Sequence, residues 1–230
     1  MNVCVIIFPG SNCDRDIKLA LQKTAGFKVT MVWHGDSEVP KCDAIILPGG
    51  FSFGDYLRCG AIAARTPIMR CVVEKAKSGV PVLGVCNGFQ ILCELGLLPG
   101  SLMRNSRMLF VCRDVYLKVE NTDTPFTGSF EKGDVISIPV AHHDGNFFAM
   151  QDTLNRLEGE GLVVLRYSDE AGAITSLANP NGAQRNIAGI CSSNGRVVGM
   201  MPHPERACEM VLGNTDGKLF FKSLKSALTV

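Results

Sequence analysis

The sequence predicts an α/β fold with a doubly wound, mostly parallel β-sheet, helices on both of its faces and a small antiparallel extension. Short apolar runs rich in β-branched residues, such as residues 3–8, are typical of strands buried on both faces of a parallel sheet. Helical patterns alternate with these runs along the first half of the chain, and this alternation favours βαβ units. Together the two observations predict the flavodoxin-like class of doubly wound folds.

In the first half of the chain the elements follow the turn and cap signals. Asn12 is a candidate N-cap for a first helix that Gly26 would end, and Gly79 would stop a later helix. The patterns predict strands over residues 3–8, 28–33, 43–47 and 80–85, and helices over residues 14–25, 57–65 and 67–77.

The second half contains more strand patterns than helical ones. Partial alternation over residues 108–119 and 135–140 predicts the antiparallel extension. No linker, internal repeat or low-complexity segment divides the chain, so we expect residues 1–230 to form a single domain. Further strands are predicted over residues 162–167, 186–191 and 197–201, and helices over residues 147–158 and 218–228.

Composition gives no sign of nucleic-acid or membrane binding. Of the 230 residues 46% are hydrophobic and 20% charged, and the formal net charge is +1. The start of the chain lacks a signal-peptide pattern, and no apolar run approaches the ~20 residues of a membrane helix. None of the ten cysteines is spaced Cys-x-x-Cys, which argues against zinc sites and a disulfide framework. We therefore expect buried thiols in a cytoplasmic protein.

The main candidate for chemistry is a Gly-x-Cys-x-Gly motif centred on Cys86. An apolar strand pattern leads into it and a helical pattern follows, as in a nucleophile elbow, where a sharp turn exposes a reactive side chain. A cysteine at a helix N-terminus is favoured as the thiolate. A buried cysteine at a strand end would explain this motif alone equally well, so the assignment depends on the rest of the site.

Two other segments are predicted to reach the same edge of the sheet. Gly49 and Gly50 follow a strand and suit an oxyanion hole, although a plain loop turn would also use two glycines. His203 follows a later strand between two prolines, at the start of a predicted helix near residue 204, and Glu205 can reach back to its imidazole. A capping histidine would explain that segment alone. A nucleophile, a base and an orienting acid together are a more specific indication of a catalytic site.

These residues indicate acyl transfer. The thiolate of Cys86 would attack a carboxamide or acyl carbonyl, and N–H groups near Gly50 and Asn87 would stabilise the oxyanion. His203 would protonate the leaving group and later activate water to release the thioester. The turn at His142 offers too few ligands for a metal, so substrate contact or simple loop structure is expected there, and no metal site is predicted.

The segments 84–90 and 202–205 resemble the class I (triad) glutamine amidotransferases. Further stretches resemble, more narrowly, the glutaminase subunits of phosphoribosylformylglycinamidine synthase, and the resemblance covers essentially the whole chain. His143 and Asp144 depart from the family pattern, which has a small residue and a glutamate there. The stretches that carry the narrower resemblance are residues 8–14, 48–58, 110–113 and 199–206.

The resemblance implies that Cys86, His203 and Glu205 hydrolyse glutamine to glutamate and ammonia. It also implies an oxyanion hole at Gly50 and Asn87. The residues we expect to contact the substrate are Gly49, Phe51, Gln90 and His142.

The same resemblance implies that the ammonia is used on another polypeptide, in the ATP-dependent amidation of formylglycinamide ribonucleotide in purine (IMP) biosynthesis. The chain has no Gly-x-x-x-x-Gly-Lys-[Ser/Thr] loop, so ATP and Mg are expected on the synthetase subunit PurL, with PurS as a bridging subunit. Phe51, Phe53 and Tyr56 are candidates for a docking surface, with core packing as the alternative.

Two other functions stay open at this stage. One is a related Cys–His hydrolase such as a γ-glutamyl peptidase, against which Gln90 and the loops that carry the narrower resemblance argue. The other is a non-catalytic, redox-sensing domain with the same elbow. A complete set of Cys86, His203 and Glu205 argues against that second alternative, because a binding module does not need all three.

Overall fold

A computed structural model describes residues 1–229 of the chain. Its helices are α1 (Asp14–Ala25), α2 (Pro67–Lys77), α3 (Asn87–Glu94), α4 (Gln151–Gly159) and α5 (Lys218–Thr229). Its strands are β1 (Asn2–Ile7), β2 (Lys28–Trp33), β3 (Ala44–Leu47), β4 (Val82–Val85), β5 (Ser101–Met103), β6 (Val111–Val119), β7 (Val135–His142), β8 (Asn146–Phe148), β9 (Val163–Ser168), β10 (Ile187–Cys191) and β11 (Val197–Met200). Within residues 1–229, no helix combines the length and apolarity needed to cross a membrane.

Within residues 1–229, nine strands form one mixed sheet in the order β2-β1-β3-β4-β11-β10-β9-β6-β7. Neighbouring strands from β2 to β11 pair in parallel, and those from β11 to β7 pair antiparallel. β5 and β8 form a separate two-stranded antiparallel sheet. The α/β class, the parallel core and the antiparallel extension predicted from the sequence are therefore confirmed.

The parallel strands bring separate parts of the chain to one edge of the sheet. The carboxyl ends of parallel neighbours meet at the same edge, which is where open α/β sheets bind ligands. The segments that follow β3, β4 and β11 carry Gly49, Cys86 and His203, respectively. Every residue of these three strands is buried, so the hydrophobic core fixes the position of the edge.

The first helix shows both a correct and an incorrect cap prediction. α1 ends at Gly26, whose left-handed backbone lets its N–H donate to the carbonyls of Gln22 and Leu21. Asn12 is not the N-cap. Cys13 holds that position without a side-chain cap hydrogen bond, while the N–H of Asn12 donates to the carbonyl of Gly10. The loop before α1 is thus folded back toward β1.

Two predicted helices are wrong in whole or in part. Residues 57–65 form turns, with one 3-10 turn at Ala63–Arg65, because Gly60 has φ 80° and packs against the backbone of Ile91, where a Cβ would lie 2.9 Å away. The helix expected over residues 147–158 starts only at Gln151, because residues 146–148 pair with β5. In both places, tertiary contacts override the local apolar spacing.

The contact between α3 and β3 depends on Gly88. A Cβ atom at this position would lie 2.0 Å from the carbonyl oxygen of Leu47. Because that oxygen is backbone in a buried strand, we expect Gly88→Ala to lower the free energy of unfolding by about 3 kcal/mol or more, the upper range for overpacking. Urea denaturation would measure the loss. Gly159→Ala is the matched control, since no atom lies within 4 Å of its added methyl group, and an unchanged or slightly higher stability is expected.

Candidate active site

Cys86 lies in the strained turn that the sequence predicts. Its φ and ψ are 51° and −105°, a conformation that is rare for a residue with a side chain. Two glycines allow the sharp turn from β4 into α3, since a Cβ on Gly84 would lie 2.6 Å from the carbonyl carbon of Gly88. The backbone N–H of Cys86 donates to Met200 at 2.7 Å, which ties the turn to β11.

The thiol of Cys86 is at the N-terminus of α3 and only 5% exposed. Its Sγ atom lies 3.7 Å from the carbonyl oxygen of Ala141 in β7. The helix dipole favours negative charge at this position, and water has limited access to it. The surroundings therefore suit a nucleophilic sulfur.

His203 and Glu205 form a buried pair beside this turn. Nδ1 of His203 lies 2.6 Å from Oε1 of Glu205. The backbone N–H of His203 donates to the carbonyl of Pro139 at 2.8 Å. The helix expected near residue 204 is only a short 3-10 turn, Pro204–Arg206, which still directs the carboxylate back toward the imidazole. Within residues 1–229, Nε2 of His203 has no hydrogen-bond partner, so it is available to a substrate.

Burial and charge act in opposite directions on this imidazole. Burial alone would lower the pKa of His203, but the carboxylate of Glu205 and the sulfur of Cys86 outweigh it and hold the pKa well above its ordinary value. The imidazolium form is thereby favoured near neutral pH. An imidazolium next to a sulfur at a helix N-terminus is the arrangement in which a histidine activates a cysteine nucleophile.

Two backbone N–H groups are available as oxyanion donors. In the part of the chain that the structure describes, the N–H of Gly50 has no acceptor, and Asn87, as the first residue of α3, has no intrahelical one. Gly50 has φ 145°, and a Cβ there would lie 2.4 Å from the carbonyl oxygen of Gly10, so this loop requires glycine. The Asn87 side chain accepts the N–H of Ser52 at 3.3 Å and thereby links the glycine loop to the elbow.

The predicted substrate residues lie around the same edge. Gly49 packs against His203, because a Cβ there would lie 2.6 Å from the Cε1 atom of the ring. Gln90 is buried, accepts from the Asn87 amide at 2.9 Å and donates to the carbonyl of Asp144 at 2.8 Å. Phe51 is 40% exposed at the rim, with its ring centroid 6.5 Å from that of Phe110.

Comparisons with known proteins identify the family. Residues 1–219 match the sequence profile of the CobB/CobQ-like glutamine amidotransferase domain. "Phosphoribosylformylglycinamidine synthase subunit PurQ" of Novosphingobium aromaticivorans is 56% identical over 225 residues, 97% of this chain and 96% of that protein. The protein of the same name from Rhodopseudomonas palustris (strain BisB18) is 55% identical over 97% of both chains.

A solved structure supports the same assignment. One chain of PurLQS from Thermotoga maritima superposes with a TM-score of 0.87 at 45% identity, covering 99% of this chain and 98% of that one. The chain belongs to the PurQ family of glutamine amidotransferases. Its elbow, buried His–Glu pair and glycine loop therefore lie within a PurQ-family fold.

His142 occupies a buried position in this PurQ-family site. Burial first, and the charge of His203 second, lower the pKa of His142 to about 4, so its imidazole is neutral near pH 7. Its Nε2 lies 3.4 Å from the amide nitrogen of Asn181, which also donates to Gly145 and Tyr167. This asparagine was not predicted from the sequence; it lies in the Asn-Pro-Asn-Gly segment at residues 179–182, a composition that is typical of a turn.

The unusual residues after His142 contribute to the site through their main chain. The carbonyl of Asp144 accepts from Gln90, and its carboxylate lies 3.5 Å from the guanidinium of Arg104. The ring of His143 packs against Phe110 with a centroid distance of 5.4 Å. The departure from the family pattern therefore changes side chains at the rim of the site. The loop itself stays hydrogen-bonded to α3 through the carbonyl of Asp144.

The three aromatic docking candidates are not equivalent. Tyr56 is 76% exposed and Phe51 is exposed at the rim, as expected for a surface. Phe53 is half-buried against His34 and Phe8, with ring centroids 5.1 and 6.5 Å away, which favours the alternative of core packing for this residue. Its backbone has φ 54°, which turns the side chain inward from the loop.

A second thiol, Cys13, also lies in the PurQ-family site and was not predicted from the sequence. Its sulfur and side-chain atoms of His203 and Glu205 lie within 4.8 Å of one another. Such a group has the spacing of metal ligands, but Arg206 donates to the sulfur at 3.0 Å and Glu205 is bonded to the imidazole. Both Cys13 and Arg206 belong to stretches that carry the resemblance, although 193 positions separate them.

Proposed function

We propose that this chain is the glutaminase subunit of phosphoribosylformylglycinamidine synthase and that it hydrolyses glutamine through a Cys86 thioester. One observation carries the proposal. Cys86 occupies a strained turn beside the buried His203–Glu205 pair, whose nitrogen and oxygen are 2.6 Å apart. The identity of more than half of the chain with proteins named as this subunit supports it.

The first half of the reaction makes the thioester. The Cys86 thiolate adds to the carboxamide carbon of glutamine, and the oxyanion accepts hydrogen bonds from the N–H groups of Gly50 and Asn87, each contributing roughly 10²–10³-fold. The imidazolium of His203 then gives its Nε2 proton to the leaving nitrogen, and ammonia departs. Glu205 keeps the proton on Nδ1 and so fixes the orientation of the ring.

The second half releases glutamate. Neutral His203 takes a proton from water, and the resulting hydroxide attacks the thioester carbon. Collapse of the tetrahedral intermediate expels the Cys86 thiolate, and the pair returns to its charged form. Gly49, Phe51, Gln90 and His142 are our proposed contacts for the substrate, because they surround the same edge of the sheet.

The ammonia would be consumed by a partner. We infer that PurL holds ATP, Mg and the ribonucleotide, and that PurS bridges the two subunits in the cytoplasm. The similar Thermotoga maritima chain comes from a structure of PurLQS, which supports such an assembly. Ammonia must cross between subunits without loss to water, so a closed path and control of the glutaminase by the partner are expected. The exposed Phe51 and Tyr56 would form part of the docking surface.

The test of this function is glutamate release from free glutamine. We expect low activity from the chain alone and a rise on the order of tenfold or more when PurL, PurS, ATP and formylglycinamide ribonucleotide are added, because closure completes such sites. Coupled detection of glutamate would measure it, with γ-glutamyl peptides as the competing substrate. Cleavage of those peptides without cleavage of glutamine in any combination would favour the peptidase alternative.

A further inference from the structure

Behind the catalytic histidine lies a buried thiol that the proposed mechanism does not use. Cys13 is at the N-cap of α1, and its N–H donates to the carbonyl of Gly49 at 3.3 Å. Its sulfur accepts from Nη2 of Arg206 at 3.0 Å, a short contact for a sulfur acceptor. Arg206 is itself placed by Asp16, whose carboxylate lies 3.7 Å from the guanidinium.

Gly49 allows this sulfur to approach the imidazole. A Cβ on Gly49 would lie 3.3 Å from the sulfur of Cys13, 3.3 Å from Nδ1 of His203 and 2.6 Å from Cε1. Only glycine at this position leaves room for both the Cys13 sulfur and the His203 ring next to the backbone of residue 49. The sulfur, a ring nitrogen of His203 and a carboxylate oxygen of Glu205 lie within 4.8 Å of one another, and Nδ1 of the ring is 2.6 Å from Oε1 of Glu205.

We propose that Cys13, anchored by Arg206, is a positioning residue for His203 in glutamine hydrolysis. The inference rests on the proposed function. Glu205 holds the imidazole through a single oxygen, and its other oxygen has no partner within residues 1–229. The sulfur supplies a second, independent contact that limits rotation of the ring and favours its protonated form.

The titratable groups that face His203 determine how the Cys13 sulfur affects the pKa of its imidazole. Glu205 is on its own segment, Cys86 approaches from the elbow, Cys13 from the start of α1 and His142 from β7. Burial lowers the pKa of His203, and Glu205, Cys86 and the nearby sulfur of Cys13 raise it. His142 is neutral at pH 7 and adds no charge next to His203. Because the Cys13 sulfur raises the pKa of His203, its removal would move the His203 titration to lower pH.

The test compares Cys13→Ala and Cys13→Ser with Cys208→Ala. Cys208 is a matched control, because it is an equally buried thiol on the segment after His203, and its S–H donates to the carbonyl of Pro204. The readouts are the imidazole titration of His203 by NMR in the full chain, and kcat and KM for glutamine in the reconstituted complex. The NMR titration does not require activity, so a failure of the proposed function would appear separately, as an inactive wild-type complex.

We expect Cys13→Ala to lower the titration midpoint of His203 by about one pH unit and kcat about tenfold, with KM within about twofold. Cys13→Ser should fall between alanine and wild type in both quantities, and Cys208→Ala should match wild type. Equal values for Cys13→Ala and Cys208→Ala would overturn the proposal, as would a loss of kcat without a shift of the midpoint. If the alanine variant does not fold, the serine variant decides by the same two criteria.

Discussion

Replacing Cys86 with alanine is expected to abolish glutamine-dependent amidation in the reconstituted complex while leaving amidation from added ammonium intact. Without the sulfur no thioester forms, and the remaining donors and His203 cannot split the carboxamide by attack of water at a comparable rate. Removal of a covalent nucleophile lowers the rate by on the order of 10⁴-fold or more, which is below detection in most coupled assays. The ammonium reaction bypasses the thioester and reports on the partner's site.

Cys93→Ala provides the matched control for this experiment. Cys93 lies in α3, seven residues after Cys86, and its S–H donates to the carbonyl of Pro99 at 3.9 Å. We expect this variant to use both nitrogen sources like wild type. A Cys86→Ala complex that still used glutamine would show that another residue is the nucleophile. Loss of both reactions would instead indicate a failure of assembly.

The sequence predicts well those parts of the fold whose signals are local. β2 (Lys28–Trp33) and α1 (Asp14–Ala25) have the predicted bounds, because apolar runs and a glycine stop mark them within a few residues. Residues 57–65 have a helical composition but form turns, since Gly60 must pack on the backbone of Ile91, where a Cβ would lie 2.9 Å away. That contact joins segments that are distant in sequence, and periodicity carries no information about it.

The site shows the same limit. Cys86, Gly49 and His203 could be grouped from the sequence because each follows a predicted parallel strand, and the parallel arrangement brings such ends together. The contact between Cys13 and Arg206 requires the relative orientation of α1 and the segment after β11, which no strand pattern specifies. The Asn181 network around His142 was missed for the same reason, since it depends on a loop between β9 and β10.

Replacing Glu205 with glutamine is expected to lower kcat for glutamine by roughly 10²- to 10⁴-fold, the range for loss of correct acid–base catalysis. The carboxylate accepts the Nδ1 proton at 2.6 Å, and its negative charge is the largest influence that raises the pKa of His203 against burial. Glutamine keeps the volume but removes the charge, so the pKa of His203 falls. The imidazolium that protonates the leaving nitrogen is then lost at lower pH.

The pH dependence distinguishes this cause from simple misfolding. A lower pKa of His203 moves the alkaline limit of kcat/KM to lower pH, and raising the pH cannot restore activity, whereas lowering it toward the new pKa recovers part of the loss. The measurement is a pH–rate profile with ammonium-dependent synthesis as the internal control. Glu209→Gln is the matched variant, because this carboxylate is half-exposed and pairs with Lys23 at 3.0 Å. An unshifted alkaline limit in Glu205→Gln would mean that Glu205 holds the ring without setting its charge.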